Sequence, residues 1–233
     1  MRRFWSQVDL GESPNGWQIL LDGRPVKTPM KAALTLPGRR LAEAVAAEWQ
    51  AVSDAVDPAR MPLTRSANTA IDRVGQERAA MAEHAAAFIE GELLCYRADH
   101  PEDLRARQAA AWDAHLAWAE GRLGHAFTQT VGIMPVAQAP DLVRAARAHA
   151  GALAPFQLTG FLQACELTRS FVLALALSQA RLDAAEAHAL AHLDEMFQAE
   201  HWGWDAEAKT RLDAIAKDLA DTQRFLGLAN EAR

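Results

Sequence analysis

The sequence predicts an α+β protein, in which a small antiparallel β-sheet with one helix forms an N-terminal domain and an all-α helical bundle forms a C-terminal domain. Three observations predict this architecture. Residues 1–36 contain short apolar runs separated by turn residues, as strands do. After Pro37 the apolar residues recur at the helical period, and from Pro101 that pattern continues almost to the end of the chain. We therefore predict domains at residues 1–75 and 76–233.

The N-terminal sheet is predicted from four short segments. They are Arg3–Val8, Trp17–Leu21, Pro25–Thr28 and Ala33–Leu36. Asp22-Gly23 is the strongest turn signal in the sequence, because a tight hairpin requires positive φ at its centre. Pro29 and Pro37 lack the backbone N–H that a strand ladder uses, so we expect the strands to be short or to lie at a sheet edge.

A first helix is predicted after the strands, because apolar residues recur at helical spacing until Asp57-Pro58 ends the pattern. These residues are Leu41, Val45, Trp49, Val52 and Val56. Thr64 is predicted to cap a helix over Ser66–Val74, since a threonine side chain accepts hydrogen bonds from a first helical turn. Another helix is expected from Gln76 to about Arg97.

The segment Phe156–Leu182 is predicted to be a central helix, because its apolar residues lie on nearly every face and such a helix must be buried. Glu166 and Arg169 interrupt it, and its longest apolar run is far shorter than the roughly 18 residues of a bilayer span. We therefore expect no membrane span. Further helices are predicted at residues 101–123, 141–153, 184–201 and 206–225, with Gly124–Gln138 as a long non-helical connection.

Composition and charge exclude several classes of protein. The 233 residues are 50% apolar and 23% charged, as in an ordinary globular protein. The net charge of −6 argues against nucleic acid as the main partner, because phosphate binding calls for a basic face. Cys95 and Cys165 are expected to be buried free thiols, and the N-terminus has no secretory signal. We therefore expect a bacterial cytoplasm, or a mitochondrial matrix if the source is eukaryotic.

Motifs for catalysis are lacking. The sequence contains neither of the phosphate-binding patterns GxxxxGK[ST] and GxGxxG, and no serine lies in a GxSxG turn. The sequence therefore gives no support for nucleotide chemistry or for a nucleophilic serine. The alternative is a metal-dependent helical enzyme, since His188, His192 and Glu195 have the spacing to share one helix face. Against it, Ala189 follows His188, so the general base of an HExxH motif is missing.

The Trp202-Gly203-Trp204 segment has two interpretations. It follows a predicted helix that carries Glu195, Phe197, Gln198 and Glu200. Aromatic residues beside fixed charges are typical of a protein-binding surface. Alternatively, the segment packs on its own domain as a helix end.

Six segments in order along the chain carry a resemblance to a known family. They are LDGRPVKTP at 21–29, Glu48-Trp49, MPLT with TAID between Met61 and Asp72, LLCYRA at 93–98, GIMPVAQ at 132–138 and EMFQAEHWG at 195–203. Together they resemble the F-type ATP synthase assembly chaperone family that attends the α subunit of the catalytic head. That family occurs in mitochondria and in alphaproteobacteria, and the resemblance covers nearly the whole chain.

The resemblance implies protein binding and no catalysis, and with it we expect no enzymatic activity, no cofactor, no metal and no small-molecule substrate. It implies an α+β domain followed by a helical one, and a chaperone that binds the unassembled α subunit of F-type ATP synthase without using ATP. Such a chaperone shields the surface that faces the β subunit until the catalytic head assembles. Carried over by motif, the family's functional acid falls on Glu195, and we expect Phe197, Gln198 and Trp202 in the same contact surface. The sequence beyond Gly203 departs from the family pattern, and an adaptor with another protein client is the remaining alternative.

Overall fold

The structure is a computed structural model that describes residues 2–231. The strands in this range are β1 (Val8–Ser13), β2 (Gly16–Leu21), β3 (Arg24–Pro25), β4 (Thr35–Leu36), β5 (Tyr96–Arg97) and β6 (Thr130–Val131). The α-helices are α1 (Arg39–Gln50), α2 (Pro62–Thr69), α3 (Arg78–Ala87), α4 (Glu102–Leu123), α5 (Pro140–Ala152), α6 (Pro155–Thr168), α7 (Phe171–Ser178), α8 (Ala184–Ala191), α9 (Leu193–Trp202) and α10 (Ala206–Asn230). The predicted α+β class with a helical C-terminal region is confirmed.

Contacts between Cα atoms divide the chain into two compact units. The first unit takes in the chain up to Arg78, the segment Leu153–Gly160 and the C-terminal stretch from Arg224. The second unit consists of Ala79–Ala152 and Phe161–Gln223. Two segments from late in the sequence therefore join the first unit, and the simple division between residues 75 and 76 stays a prediction.

The sheet of the first unit is antiparallel and is built around β2. Strand β1 pairs with β2 along its whole length, from Val8↔Leu21 to Ser13↔Gly16, while β3 and β4 pair with the two ends of the other edge of β2. The turn predicted at Asp22-Gly23 is confirmed: it joins β2 to β3, and the two residues have φ angles of 47° and 78°.

The prediction of a strand over Arg3–Val8 is wrong, because the strand begins only at Val8. Ser6 and Gln7 donate their backbone N–H groups to the carboxylate of Asp22, and not to a neighbouring strand. A side-chain acceptor in the β2–β3 turn therefore ends the ladder at this edge.

Helix α1 packs on β1 and β2 and supplies the centre of the first core. Its four buried residues recur at helical spacing, as predicted for this face, although the helix ends at Gln50 and does not reach Val56. The core joins them to buried residues in or next to the sheet and α2: Ile19, Leu21, Leu34, Leu36, Met61, Leu63 and Ala67.

The helix predicted at Ser66–Val74 begins earlier, at Pro62, and Thr64 is not its cap. Thr64 lies in the first turn, and its backbone N–H is bonded to the Glu48 carboxylate of α1 at 2.8 Å. Glu48 therefore supplies the acceptor that the prediction assigned to Thr64. The last turn of the predicted helix is a π-helical turn over Ala70–Val74.

The helix predicted from Gln76 to Arg97 is confirmed only for Arg78–Ala87. Beyond Ala87 the backbone bonds tighten to the i→i−3 type, as from Ile89 to Ala86, and the chain turns at Gly91. A 3₁₀ turn at Leu93–Cys95 and strand β5 follow, and β5 pairs in parallel with β6.

The central segment is buried as predicted, but it is two helices and not one. Helix α6 ends at Thr168, and α7 begins at Phe171 after Arg169, whose φ is 56°. Every residue of α7 from Phe171 to Leu177 is buried. The predicted helix at 184–201 is likewise divided at His192 into α8 and α9. None of the described helices has both the length and the apolar character needed to cross a membrane.

Both cysteines are buried and free, as the sequence predicts. Burial raises the pKa of the Cys95 thiol to about 12, and it also raises the pKa of Cys165. Neither thiol is activated as a nucleophile.

Candidate protein-binding surface

Helix α9 presents the residues that the sequence analysis assigns to a contact surface. It is anchored by Leu193 and Phe197, which are four residues apart, 5% exposed each, and occupy one face. Asp194 at its start accepts a 2.7 Å hydrogen bond from the Gln108 amide of α4. The rest of α9 is left toward solvent, and we call its residues Glu195, Gln198, Glu200 and Trp202, together with Trp204 just after the helix, the α9 surface.

Glu195 is held by neighbours and is not a freely solvated acid. Its side chain is 41% exposed, and its Oε2 lies 2.5 Å from an Arg211 guanidinium nitrogen of α10. Its other oxygen lies 3.4 Å from Nδ1 of His192. Burial lowers the pKa of His192, and the neighbouring His188 lowers it further, so Arg211 is the cation that partners Glu195 at neutral pH.

Phe197 and Gln198, although adjacent, have different environments. Phe197 lies in the core beneath the surface, and its ring lies 4.2 Å from the His201 ring. The His201 Nδ1–H donates a 2.8 Å hydrogen bond to the Phe197 carbonyl. Gln198 is exposed. In this structure Gln198 is available to a partner, whereas Phe197 supports the α9 surface from below.

Trp202 and Trp204 are the exposed aromatic residues of this surface. Trp202 ends α9 with 78% of its surface exposed, and Trp204 is 50% exposed. Gly203 separates them with a φ of 84°, a conformation that a residue with a side chain rarely adopts, and so turns the chain away from the helix. The alternative that this segment packs on its own domain is wrong for Trp202.

An ion pair joins α9 to α4. The two terminal guanidinium nitrogens of Arg107, Nη1 and Nη2, contact the Glu200 carboxylate at 2.6 and 2.9 Å. The hydrogen bond from Arg107 lowers the pKa of Glu200, so this carboxylate is ionised at neutral pH. The pair lies in solvent and contributes little to stability, but it fixes where one negative and one positive charge stand on the α9 surface.

The metal-site alternative fails on geometry. Nε2 of His188 lies 3.0 Å from the carbonyl oxygen of Leu212, so that nitrogen carries a proton and donates it there. Glu195 is engaged by Arg211, as described. Among residues 2–231 no group of three or more His, Cys, Asp or Glu side chains is arranged to hold a metal ion. His188, His192 and Glu195 therefore do not support a metal-dependent enzyme.

The sequence analysis missed a second set of exposed apolar residues in the same unit. Val131, Ile133 and Met134 are 52%, 94% and 73% exposed. The loop is held at its start, where Gly132 donates its N–H to the Arg97 carbonyl at 2.8 Å. The sequence signal for this loop is the apolar GIMP segment, which has neither a helical nor a strand period. Such a segment has no single face to bury.

The chain is similar to known proteins over most of its length. The sequence profile of a family described as ATP12 chaperone protein matches residues 2–120. The mitochondrial protein atp12 of Schizosaccharomyces pombe is 25% identical over 215 residues, which is 87% of this chain and 74% of that protein.

Solved structures agree with this similarity. The crystal structure of Atp12 from Paracoccus denitrificans is 43% identical, has a TM-score of 0.95 and is matched over 98% of both chains. A point-substituted variant of the P. denitrificans protein is 42% identical, also with a TM-score of 0.95, and is matched over 98% of this chain and 97% of that chain.

Proposed function

We propose, from the premise that this chain belongs to the ATP12 chaperone family, that its client is the unassembled α subunit of F-type ATP synthase. Membership of that family makes the chain an ATP synthase assembly chaperone, and the family is not a family of enzymes. The proposal adds the client and the surface. The α9 surface contacts the α subunit, and the chain shields the face that will meet the β subunit until the catalytic head forms.

The exposure of Trp202 is the observation that carries the choice of surface. A tryptophan with 78% of its surface in water is unusual for a residue type that normally buries most of its area. Exposed tryptophans in contact with a partner are among the residues that contribute most to binding. Trp202 is the last residue of α9, and its exposed ring is open to a partner.

The charges of the α9 surface favour a protein partner over a lipid or a small molecule. Glu195 and Glu200 stand on the same helix, each paired with an arginine from a neighbouring helix. Paired charges of both signs at a rim fix the orientation of a partner without binding it tightly. An apolar centre with a polar rim is the usual anatomy of a specific protein interface.

Exchange of the client needs no nucleotide. A subunit that ends in an obligate interface exposes apolar area while it is alone, and that area aggregates unless it is covered. Obligate interfaces are larger and more apolar than transient ones, so the β subunit displaces a chaperone of moderate affinity by mass action. The energy of assembly therefore suffices to release the chaperone.

The test is co-expression with the α subunit of the same organism in the absence of the β subunit. We expect soluble α subunit that co-purifies with the chaperone and leaves it when the β subunit is added. Trp202→Ser should reduce the co-purified amount, whereas Phe4→Ser, which removes another exposed aromatic ring from the other unit, should not. If the α subunit stays insoluble and an unrelated protein is captured, the adaptor alternative replaces this proposal.

A further inference from the structure

Gln108 is a polar residue on the buried face of α4. It lies at helical spacing with Leu104, Trp112 and Leu116, which are also buried, and its own side chain is fully buried. Burying an amide opposes folding unless the amide is hydrogen-bonded, and an apolar side chain of similar size would fill the same space without that cost. Packing alone therefore does not explain a glutamine at this position.

The Gln108 amide bridges two segments that are far apart in the sequence. Its Oε1 accepts a 2.8 Å hydrogen bond from the backbone N–H of Ala98, just after β5. Its Nε2 donates the 2.7 Å bond to Oδ1 of Asp194, in the first turn of α9. Each end of the amide therefore has a partner, and the partner in α9 is a carboxylate, which is a stronger acceptor than a neutral group.

Helix α9 depends on such contacts, because its own sequence holds its start weakly. It is 10 residues long, and within the described chain the residue before its first turn, His192, makes no side-chain capping bond. The preceding helix α8, by contrast, begins with a capping box formed by Asp183 and Glu186. A helix of fewer than about 12 residues is marginal without tertiary contacts. The bond from Gln108 therefore restrains a helix end that has no cap of its own.

Two consecutive residues of α9 bind two different helices. Asp194 accepts from Gln108 of α4, and Glu195 pairs with Arg211 of α10. Successive residues of a helix point about 100° apart around its axis. The two contacts together therefore fix the rotation of α9 about its own axis, since a turn of the helix that moves one carboxylate away from its partner also moves the other.

From these observations we infer that Gln108 is a positioning residue, whose amide holds α9 at the rotation that presents Glu195 and Trp202 to the client together. The Gln108 end of its contact is buried, whereas the ion pair between Arg107 and Glu200 at the other end of α9 lies in solvent and orients the helix weakly. The inference rests on the proposed function for the identity of the client. It assigns to the buried face of α4 a role in binding without contact to the client.

Three variants of the whole chain separate the hydrogen bond from the charge. Gln108→Glu keeps an acceptor for Ala98 but has no N–H to donate, so two carboxylates face each other. Asp194→Asn removes the charge of the acceptor and keeps an oxygen to which the Gln108 amide can donate. The double variant Gln108→Glu/Asp194→Asn restores the bond in the reverse direction, because the asparagine amide donates to the glutamate, and it has the net charge of the unaltered chain.

The first measurement is hydrogen exchange of the α9 backbone amides in the free chain, which does not depend on the client. Gln108→Glu should exchange these amides about tenfold or more faster, because the loss of a hydrogen bond to a charged group lowers the free energy of local opening. The amides of α1, in the other unit, should exchange as before. The double variant should exchange its α9 amides as the unaltered chain does. Unchanged exchange of α9 in Gln108→Glu overturns the inference.

The second measurement is capture of the α subunit by the same variants. Gln108→Glu should have an apparent affinity about tenfold weaker, because apparent affinity falls with the fraction of chains in which α9 is in place. The double variant should recover it. Loss of capture in both Asp194→Asn and the double variant would mean that the Asp194 carboxylate itself binds the client, and overturns the positioning role.

Gln138→Glu is the matched control for the loss of a buried amide. Gln138 is a second buried glutamine of the same unit, and its amide accepts from the Thr128 N–H and donates to the Thr128 carbonyl, both at 2.9 Å. The substitution makes the same chemical change at a site that holds the connection between α4 and α5 and not α9. We expect ordinary α9 exchange and ordinary capture by the folded protein. An equal loss of capture in Gln138→Glu and Gln108→Glu would show a general loss of stability and contradicts the inference.

The two measurements together separate this inference from the proposed function. If the unaltered chain captures the α subunit, Gln108→Glu captures less and the double variant recovers, both are supported. If all of them capture it equally although α9 exchanges faster in Gln108→Glu, the inference fails while the proposed function stands. If none captures it but α9 exchange rises in Gln108→Glu and is restored in the double variant, the proposed function fails, and the exchange data alone support the positioning of α9 by Gln108.

Discussion

The carboxylate of Glu92 accepts a 2.5 Å hydrogen bond from the hydroxyl of Ser170, a residue 78 positions later in the chain. The same carboxylate accepts a 3.1 Å bond from the backbone N–H of Val172, in the first turn of α7. Glu92 has no exposed surface. A fully buried acid therefore supplies acceptors to the start of the most buried helix of the second unit.

This relationship predicts a pH dependence of stability. Burial raises the pKa of Glu92 from 4.5 to about 7, and the hydrogen bonds from Ser170 and Val172 oppose that rise without cancelling it. Between pH 4.5 and 7 the folded chain keeps a proton that the unfolded chain has lost, so the contribution of Glu92 to the free energy of unfolding falls as pH rises through this window. The whole change is roughly 3 kcal/mol.

The variant Glu92→Gln isolates that contribution, because it keeps an acceptor oxygen and cannot ionise. Its free energy of unfolding, measured with denaturant between pH 5 and 8, should lose the downward slope that the unaltered chain shows. Glu90→Gln, an exposed acid two residues away, serves as the control and should retain the slope. A Glu92→Gln variant with the original slope would show that another group titrates in this window.

Glu92 also explains why the division between α6 and α7 was not predictable from the sequence. Residues on both sides of Arg169 have helical periodicity, and no glycine or proline separates them. The break depends on the Ser170 hydroxyl, which caps α7 by accepting from Leu173, and on the distant Glu92. The burial of the segment is a property of its composition and was predictable, whereas its break is a tertiary interaction.

Gly160 in α6 predicts a second effect on stability. A Cβ atom at this position would lie 2.7 Å from the Leu226 side chain of α10 and 3.3 Å from Phe225. Leu226 and Phe225 are 2% and 0% exposed and have little space to move away. Gly160→Ala should therefore destabilise the chain by about 1–3 kcal/mol, through overpacking.

Gly121 is the matched control for this substitution. It lies within α4, and no atom outside its own helix stands within 4 Å of a Cβ built there. Gly121→Ala should stabilise the chain by about 0.5–1 kcal/mol, since alanine is the better helix former. Thermal unfolding of both variants measures the difference, and an equal effect of the two substitutions would mean that helix propensity alone decides at Gly160.

Phe197 and Trp202 should separate folding from binding on one helix. Phe197→Ala removes a ring that is 5% exposed and should cost about 3–5 kcal/mol of stability. Trp202→Ala removes a ring that is 78% exposed, so its melting temperature should stay close to that of the unaltered chain while capture of the α subunit falls. A large loss of stability in Trp202→Ala, or full capture by it, contradicts this assignment.

The candidate site, like the break between α6 and α7, was predictable only in part, because composition is visible in a sequence and tertiary contacts are not. Aromatic residues after a charged helix identify the region, and the four-residue spacing of Leu193 and Phe197 puts Phe197 on the buried face of that helix. The exposed loop with Ile133 and Met134 has no period to detect, and the groove of the first unit lined by Lys27, Trp49 and Arg65 depends on segments far apart in sequence. Contacts of this kind exist only in the folded chain.

The pairing of Glu195 with Arg211 makes the last prediction more specific than a single charge reversal. Glu195→Lys places a second cation beside Arg211, and should change stability by no more than about 1 kcal/mol because the pair is half exposed. It should weaken capture of the α subunit if the carboxylate contacts the client. The double variant Glu195→Lys/Arg211→Glu restores an ion pair in reversed order, and its stability should return to that of the unaltered chain.

The double variant also decides what Glu195 does. If capture remains weak when the ion pair is restored, the carboxylate contacts the client at its own position, because the local helix packing is then intact. If capture recovers fully, Glu195 acts only by positioning α9 against α10, and the contact lies with Gln198 and Trp202. Glu207→Lys, an exposed acid in the first turn of α10, controls for net charge and should capture the α subunit as well as the unaltered chain.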